Sequence, residues 1–331
     1  MESENKRELQ QFVDHNSFCT FITYHEDGLF VSHINLINVG DTYFGHLAAA
    51  NPQAKRLRNN STAIALFKNN KKAVHIHGRI SLIRSEHHLS CMLDNLISKY
   101  ENGRSTPWSA KWNEPEFKMQ LKGIVGFHLL PGKIQDTAAP VDIQCMSTVK
   151  VTPIYTPYHF VEKRPEILHQ LIRDNPFCTV ILHNKNGYLS IFHIDLTISS
   201  RENEKLVLEG RLLIANTKQL FNTNDTFDAL LIFNGPHTYI SPSWYKTPHS
   251  VPTWNYITAH AESTFTITNT KNEDNNLALG IRFNISQIIG KYKLSQNRSP
   301  DDKCNVISAL SESSCLADFK VAELMKIFSL V

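Results

Sequence analysis

Residues 16–36 read NSFCTFITYHEDGLFVSHINL, and residues 175–196 read NPFCTVILHNKNGYLSIFHIDL. Both open on Asn, share Phe-Cys-Thr and close on His-Ile-Asn/Asp-Leu. Each holds two β-rich runs joined by a polar turn with a late glycine, HEDG or NKNG, which is how a hairpin is written. The chain therefore repeats itself, and further matches follow in the same order. YFGHLAAAN (43–51) answers VLEGRLLIAN (207–216), AVHIHG (73–78) answers TAHAES (258–263), and GIVGF (123–127) answers LGIRF (279–283).

The offsets locate what changed between the copies. Asn16 to Asn175 spans 159 residues, Gly45 to Gly210 spans 165, His75 to His260 spans 185, and Phe127 to Phe283 falls back to 156. The second copy has gained about twenty residues before His260, where YISPSWYKTPHSVPTWNY (239–256) lies. It has lost a similar length afterwards, where the first copy carries SEHHLSCMLDNLISKYENGRSTPWSAKWNEPEFKMQ (85–120). A chain of 331 residues favours two domains on length alone. The low apolar content of PGKIQDTAAPVDIQCMSTVKVTP (131–153) marks the join. The expected division is repeat 1 over 1–135, a linker over 136–153 and repeat 2 over 154–331.

Coarsely, each copy begins with a helix. In PEILHQLIRDNP, Ile167, Leu168, Leu171 and Ile172 have helical spacing, and Pro176 stops the run. A strand meander follows, interrupted by a short helix at NPQAKRLRNN, with Asn51 as N-cap and Pro52 at its first position. Many short strands with few helices, twice over, predict a β-barrel-dominated α+β protein of two small barrels.

Composition excludes more than it identifies. Hydrophobic content of 41% and charged content of 20% are those of a soluble globular chain. A net charge of +3, with only short basic runs (Lys55, Arg56, Arg58; Lys71, Lys72), argues for solvated faces and against nucleic acid. The N-terminus MESENKRELQQF lacks an apolar signal region, and no run approaches the roughly 18 residues of a membrane span. Six cysteines without CxxC spacing fit reduced thiols in a cytoplasm. The sixteen histidines form no metal motif such as HExxH.

Several stretches together resemble one family. YTPYHF, NPFCTV, GHLAAANPQ, IFNGPHTYISPSWY, VPTWNY, GIVGF and GKYKLSQNR are similar to motifs of the FMN-binding negative transcriptional regulators, the PaiB-type proteins. The resemblance implies an FMN-binding split β-barrel, related in fold to flavin reductases and pyridoxamine phosphate oxidases. It spans nearly the whole chain, but the motifs are divided. The first copy keeps GHLAAANPQ and lacks YISPSWY and KLSQNR; the second keeps those two and carries GRLLIANTK in the middle motif's place. Split-barrel flavoproteins resemble one another in placing FMN between two barrels. Complementary loss in a tandem duplication would then leave one composite site in an intrachain pseudo-dimer. A monomer with internal pseudo-two-fold symmetry is expected, with a further dimer left open.

For that site the resemblance points to His46, Asn51, Gln53 and Lys55 around the short helix, whose N-terminus would receive a phosphate. The bland reading is that Asn51 only caps a surface helix. Trp244 and Trp254 would stack on or beside the isoalloxazine ring, with Ser241, Ser243, Thr253 and Asn255 as polar contacts. Pro242, Pro248 and Pro252 would stiffen that loop, unless the whole segment is an aromatic plug. Lys293, Gln296, Asn297 and Arg298 of KLSQNR complete the set. The family usually shows Arg where this chain has Ala49, so Lys55, Arg56 or Arg298 would have to serve the phosphate. His33 and His193 occupy equivalent positions, as do His75 and His260, and recurrence in both copies favours a structural role. No spacing identifies a catalytic acid, base or nucleophile.

Three functions remain open. One is an FMN protein with flavin-dependent oxidoreductase activity, since a flavin needs little beyond binding and tuning. A second is a regulatory or interaction scaffold that has lost FMN; without a helix-turn-helix, direct DNA contact is not expected. The third, a minor one, is a haem-binding split barrel.

Overall fold

The computed structural model describes residues 2–26, 28–136, 141–144, 151–183, 188–202, 205–213, 227–268 and 278–329. The first copy supplies β1 (Phe18–His25), β2 (Gly28–Asn35), β3 (Ile37–Val39), β4 (Thr42–Ala48), β5 (Thr62–Lys68), β6 (Ala73–Leu82) and β7 (Ile124–Asp136). These form one antiparallel sheet in the order β3-β4-β7-β6-β5-β1-β2. After it come β8 (Val141–Gln144) and β9 (Val161–Glu162). The second copy then supplies β10 (Phe177–His183), β11 (Tyr188–Asp195), β12 (Thr197–Glu202), β13 (Lys205–Leu213), β14 (Phe227–Ile240), β15 (Thr253–Thr268) and β16 (Ala278–Lys293). Their order is β12-β13-β16-β15-β14-β10-β11, the same sequence of strands. The duplication is thus visible in the topology, and the chain is two tandem split β-barrels.

Helices fill in around the sheets: α1 (Glu2–His15), α2 (Pro52–Arg56), α3 (Glu86–Glu101), α4 (Pro115–Lys122), α5 (Pro165–Asp174), α6 (Pro300–Ser311) and α7 (Leu316–Ser329). As expected, α1 and α5 open the two copies, and α2 has Asn51 as N-cap, its Oδ1 accepting from the Gln53 amide at 3.0 Å. The helices α3, α4, α6 and α7 were not foreseen. Part of the stretch read as linker is also strand: β7 runs to Asp136, and β8 adds an edge to β11. Residues 137–140 and 145–150 lie outside the described residues, as do 214–218 of GRLLIANTK. Among the described residues no helix is long and apolar enough to cross a membrane.

Each barrel closes where the end of its second strand meets the fourth, and there a side chain would not fit. A Cβ on Gly45 would sit 3.3 Å from the Asn35 carbonyl and clash with the Leu36 side chain. The equivalent Gly210 would place its Cβ 2.8 Å from both the Asp195 carbonyl and Leu196 Cδ2.

The opening repeat also explains the packing of the barrels against each other. In β1, Cys19 and Phe21 point into the first barrel's core while Ile22 points out of it. In β10, Cys178, Val180 and Leu182 point inward and Ile181 outward. A strand buried on both faces reads as a continuous apolar run, which is what FCTFI and FCTVI are. The outward residues meet in one interface core. Ile22, Leu29, Val31, Ile64 and Leu66 from the first copy pack against Ile181, Leu189, Ile191, Leu230 and Ile232, the equivalent five of the second. Burying each such side chain contributes roughly 1.5–3 kcal/mol, so this face is a permanent junction.

Candidate functional site

A cavity of about 280 Å³ opens between the two barrels. The first copy lines it with Phe18 at the start of β1, Ser32 to Asn35 on β2, His46 to Ala48 on β4, Asn51, and Leu96 from α3. The second lines it with Tyr239 at the end of β14, Pro252, Thr253, Trp254 and Tyr256 entering β15, and Lys291 and Lys293 on β16. The connection between the copies crosses it with Ile154, Tyr155, Pro157 and Phe160.

Its walls are aromatic and its charges are positive. Trp254 stacks on Phe18 across the two copies, with centroids 5.7 Å apart and planes 10° from parallel, and its Nε1 donates to His237 Nδ1 at 3.2 Å. Tyr256 also packs against Phe18, with centroids 5.0 Å apart and planes tilted by 52°. Lys291 Nζ donates to the Tyr155 carbonyl at 2.8 Å and lies 5.5 Å from the Tyr256 ring centre. Lys293 Nζ donates to the Trp254 carbonyl at 2.9 Å and to Thr253 Oγ1. Burial, with Lys291 and Arg298 nearby, pulls the Lys293 ammonium down to about 7. Among the described residues no Asp or Glu lines the cavity.

Five of the fourteen residues expected at the site face this cavity: His46, Asn51, Thr253, Trp254 and Lys293. His46 Nδ1 is buried without a hydrogen-bond partner among the described residues, and burial beside Lys293 pulls the imidazole down to about 4. Asn51 caps α2 with one end of its amide and donates to Ser32 Oγ at 2.9 Å with the other, so both ends are already engaged.

The other nine serve elsewhere. Gln53 is 1% exposed inside the first barrel, where Nε2 donates to the Phe21 carbonyl, Thr23 Oγ1 and the Phe30 carbonyl. Lys55 is exposed. Ser241 caps the 3-10 turn Pro242–Trp244 and bonds Ser243. Trp244 lies under the Arg104 guanidinium at 4.7 Å. Asn255 is buried against Ser295 and Met325. Gln296 closes its own turn on the Leu294 amide and the Tyr292 carbonyl, and Asn297 is exposed. Arg298 stacks on Tyr245 at 4.4 Å and donates to Ser250 Oγ at 3.4 Å.

Sequence reasoning missed Lys291, though it was within reach. In KYK the two lysines are separated by one residue, and strand period two puts both on one face. Phe18, Tyr155 and Phe160 lay in quoted motifs without being assigned. Nothing in the sequence pointed to Leu96, which reaches the cavity only because α3 folds back over it.

The FMN_bind_2 family, described as "Putative FMN-binding domain", matches residues 1–130 and again 154–280. The chain is 27% identical over 205 residues to the protease synthase and sporulation protein PAI 2 of Bacillus subtilis, covering 52% of this chain and 97% of that one. It is 25% identical over 234 residues to an uncharacterized protein of Emericella nidulans, covering 50% of this chain and 93% of the relative. Among solved structures, the FAD and heme binding protein from Mycobacterium smegmatis aligns at 12% identity with a TM-score of 0.33, over 59% of this chain and 85% of that one.

Proposed function

Because the chain belongs to the FMN_bind_2 family and carries its domain twice, we propose that it binds one FMN per chain, in the cavity that both copies line. The observation that carries this reading is the cavity's chemistry: among the described residues it has two lysines, no carboxylate, and aromatic walls from both copies. A phosphate monoester needs cations and N–H donors, and a flavin ring needs flat apolar faces. Lys291 and Lys293 would hold the phosphate, replacing both the absent arginine at Ala49 and the α2 N-terminus, whose cap is already occupied. Phe18, Trp254 and Tyr256 would wall the ring, and the unpartnered His46 Nδ1 would take a polar contact.

The equivalent position in the second copy favours one site over two. Asp195, the counterpart of Asn35 in the strand register, would set a carboxylate against an anion. The first copy also turns directly from Lys68 to Ala73, with no counterpart of the aromatic segment.

Bound FMN supplies hydride and electron-transfer chemistry. The chain's own residues bind it, neutralise its phosphate and exclude water from its faces. Fluorescence-quenching titration of the apo-protein with FMN tests the reading. Saturation at one FMN per chain supports it; two per chain, or none at micromolar concentration, overturns it.

A further inference from the structure

We propose that Glu101, on α3 of the first copy, is a positioning residue that fixes the aromatic wall the second copy gives to the cavity. The proposal rests on the reading of that cavity as the ligand site. α3 lies in the segment that the second copy lacks, whereas Tyr239 and Trp254 lie in the segment that the first copy lacks. The two unmatched segments meet each other. Leu96 of α3 lines the cavity. One turn further on, Tyr100 stacks on Tyr239 at 4.8 Å and 19°, and meets Trp254 edge-on at 5.0 Å and 68°.

Glu101 is 1% exposed. Its Oε1 accepts from the Tyr239 hydroxyl at 2.8 Å and its Oε2 from the Trp108 amide at 3.0 Å, with Arg104 Nε 3.7 Å away. A carboxylate buried among three donors is held in one geometry, and removing a partner leaves a costly unmet charge or hydroxyl. Burial and the facing carboxylate both push the Tyr239 phenol upward, so it stays a donor throughout the working pH range. Tyr239 is therefore pinned by its hydroxyl and stacked through its ring, and Trp254 leans on both tyrosines, with the Tyr239 ring 5.9 Å away. The gain in one copy and the segment retained in the other are two halves of one roof, and Glu101 joins them.

The test compares Glu101→Gln, Tyr239→Phe and the double variant of the full chain. Each is titrated with FMN and recorded by near-ultraviolet circular dichroism without it. Glu101→Gln keeps the volume but turns an amide N–H toward one of the donors; Tyr239→Phe keeps the ring and removes the hydroxyl. Each single variant should weaken FMN binding about tenfold. The double variant should be no worse than the weaker single, because both break the same bond. The aromatic dichroism of the apo-protein should fall in all three. Unchanged affinity in folded Glu101→Gln, or losses that simply add, overturns the proposal. If the wild-type chain binds no FMN, the site reading fails by itself. The apo spectra still decide the role of Glu101, since unchanged spectra would show that it holds nothing in place.

Discussion

His33 and His260 meet Nε2 to Nε2 at 2.9 Å, and the internal symmetry repeats the contact as His75 to His193 at 2.7 Å. The equivalent histidines of the two copies thus pair crosswise over the junction between the barrels. Thr20 and Thr179, themselves equivalent, take the Nδ1 atoms of His33 and His193. A structural role was expected from recurrence alone; the cross-copy pairing needed the fold.

Burial pulls all four imidazoles down, His75 and His260 to about 3, and neighbouring histidines and lysines act in the same direction. Folded, each is neutral; unfolded, each takes a proton near 6.5. The unfolded state therefore binds more protons in between, so the stabilisation is complete above about 6.5 and is lost as pH falls toward 3. The expected slope is about 1.4 kcal/mol per pH unit for each of the two deepest histidines. Urea unfolding at a series of pH values should show it; a flat profile below neutrality would contradict the pairing of neutral rings.

Lys293 should make flavin affinity pH-dependent. An anion favours the protonated amine, which burial has drawn down to about 7. FMN binding should hold below that pH and weaken above it, and Lys293→Met should bind more weakly with the dependence much reduced. Dissociation constants measured on either side of neutrality, for both proteins, decide this.

Trp254→Ala should remove a wall of the cavity and weaken FMN at least tenfold, with the fold intact. Asn51→Ala, in the other copy, should weaken the same site by releasing Ser32, which the amide holds at the cavity wall, and also destabilise the chain by about 1 kcal/mol through loss of the α2 cap. Titration alongside thermal melting separates the two effects. If only one of these residues matters to FMN, the cavity is not shared between the copies.

Gly210→Ala should cost about 1–3 kcal/mol, because its Cβ would press on a backbone carbonyl that cannot move aside. Gly45→Ala should do the same in the first barrel. Melting temperatures of the two variants should fall alike; tolerance at either position would mean that the barrel seam is loose.

The sequence by itself determined the duplication, the strand meander and the exchange of segments between the copies. These are local patterns: the continuous apolar runs FCTFI and FCTVI, turn residues, and the spacing of matched motifs. It also determined α2 and its Asn51 cap, which depend on a few neighbouring residues. Only the tertiary structure decided which side chains share a cavity. Gln53 and Asn255 carry the right chemistry but face away from the cavity: a helix phase turns Gln53 into the first barrel, and a strand face turns Asn255 toward Ser295 and toward Met325 of α7. Lys291 and Leu96 reach the cavity from elements far apart in the chain. α3 read as unmatched sequence, since its purpose lies in what it touches: Tyr239 and Trp254 are more than 130 residues away. Contacts at that range are set by packing two apolar sheet faces together, and no local pattern records them.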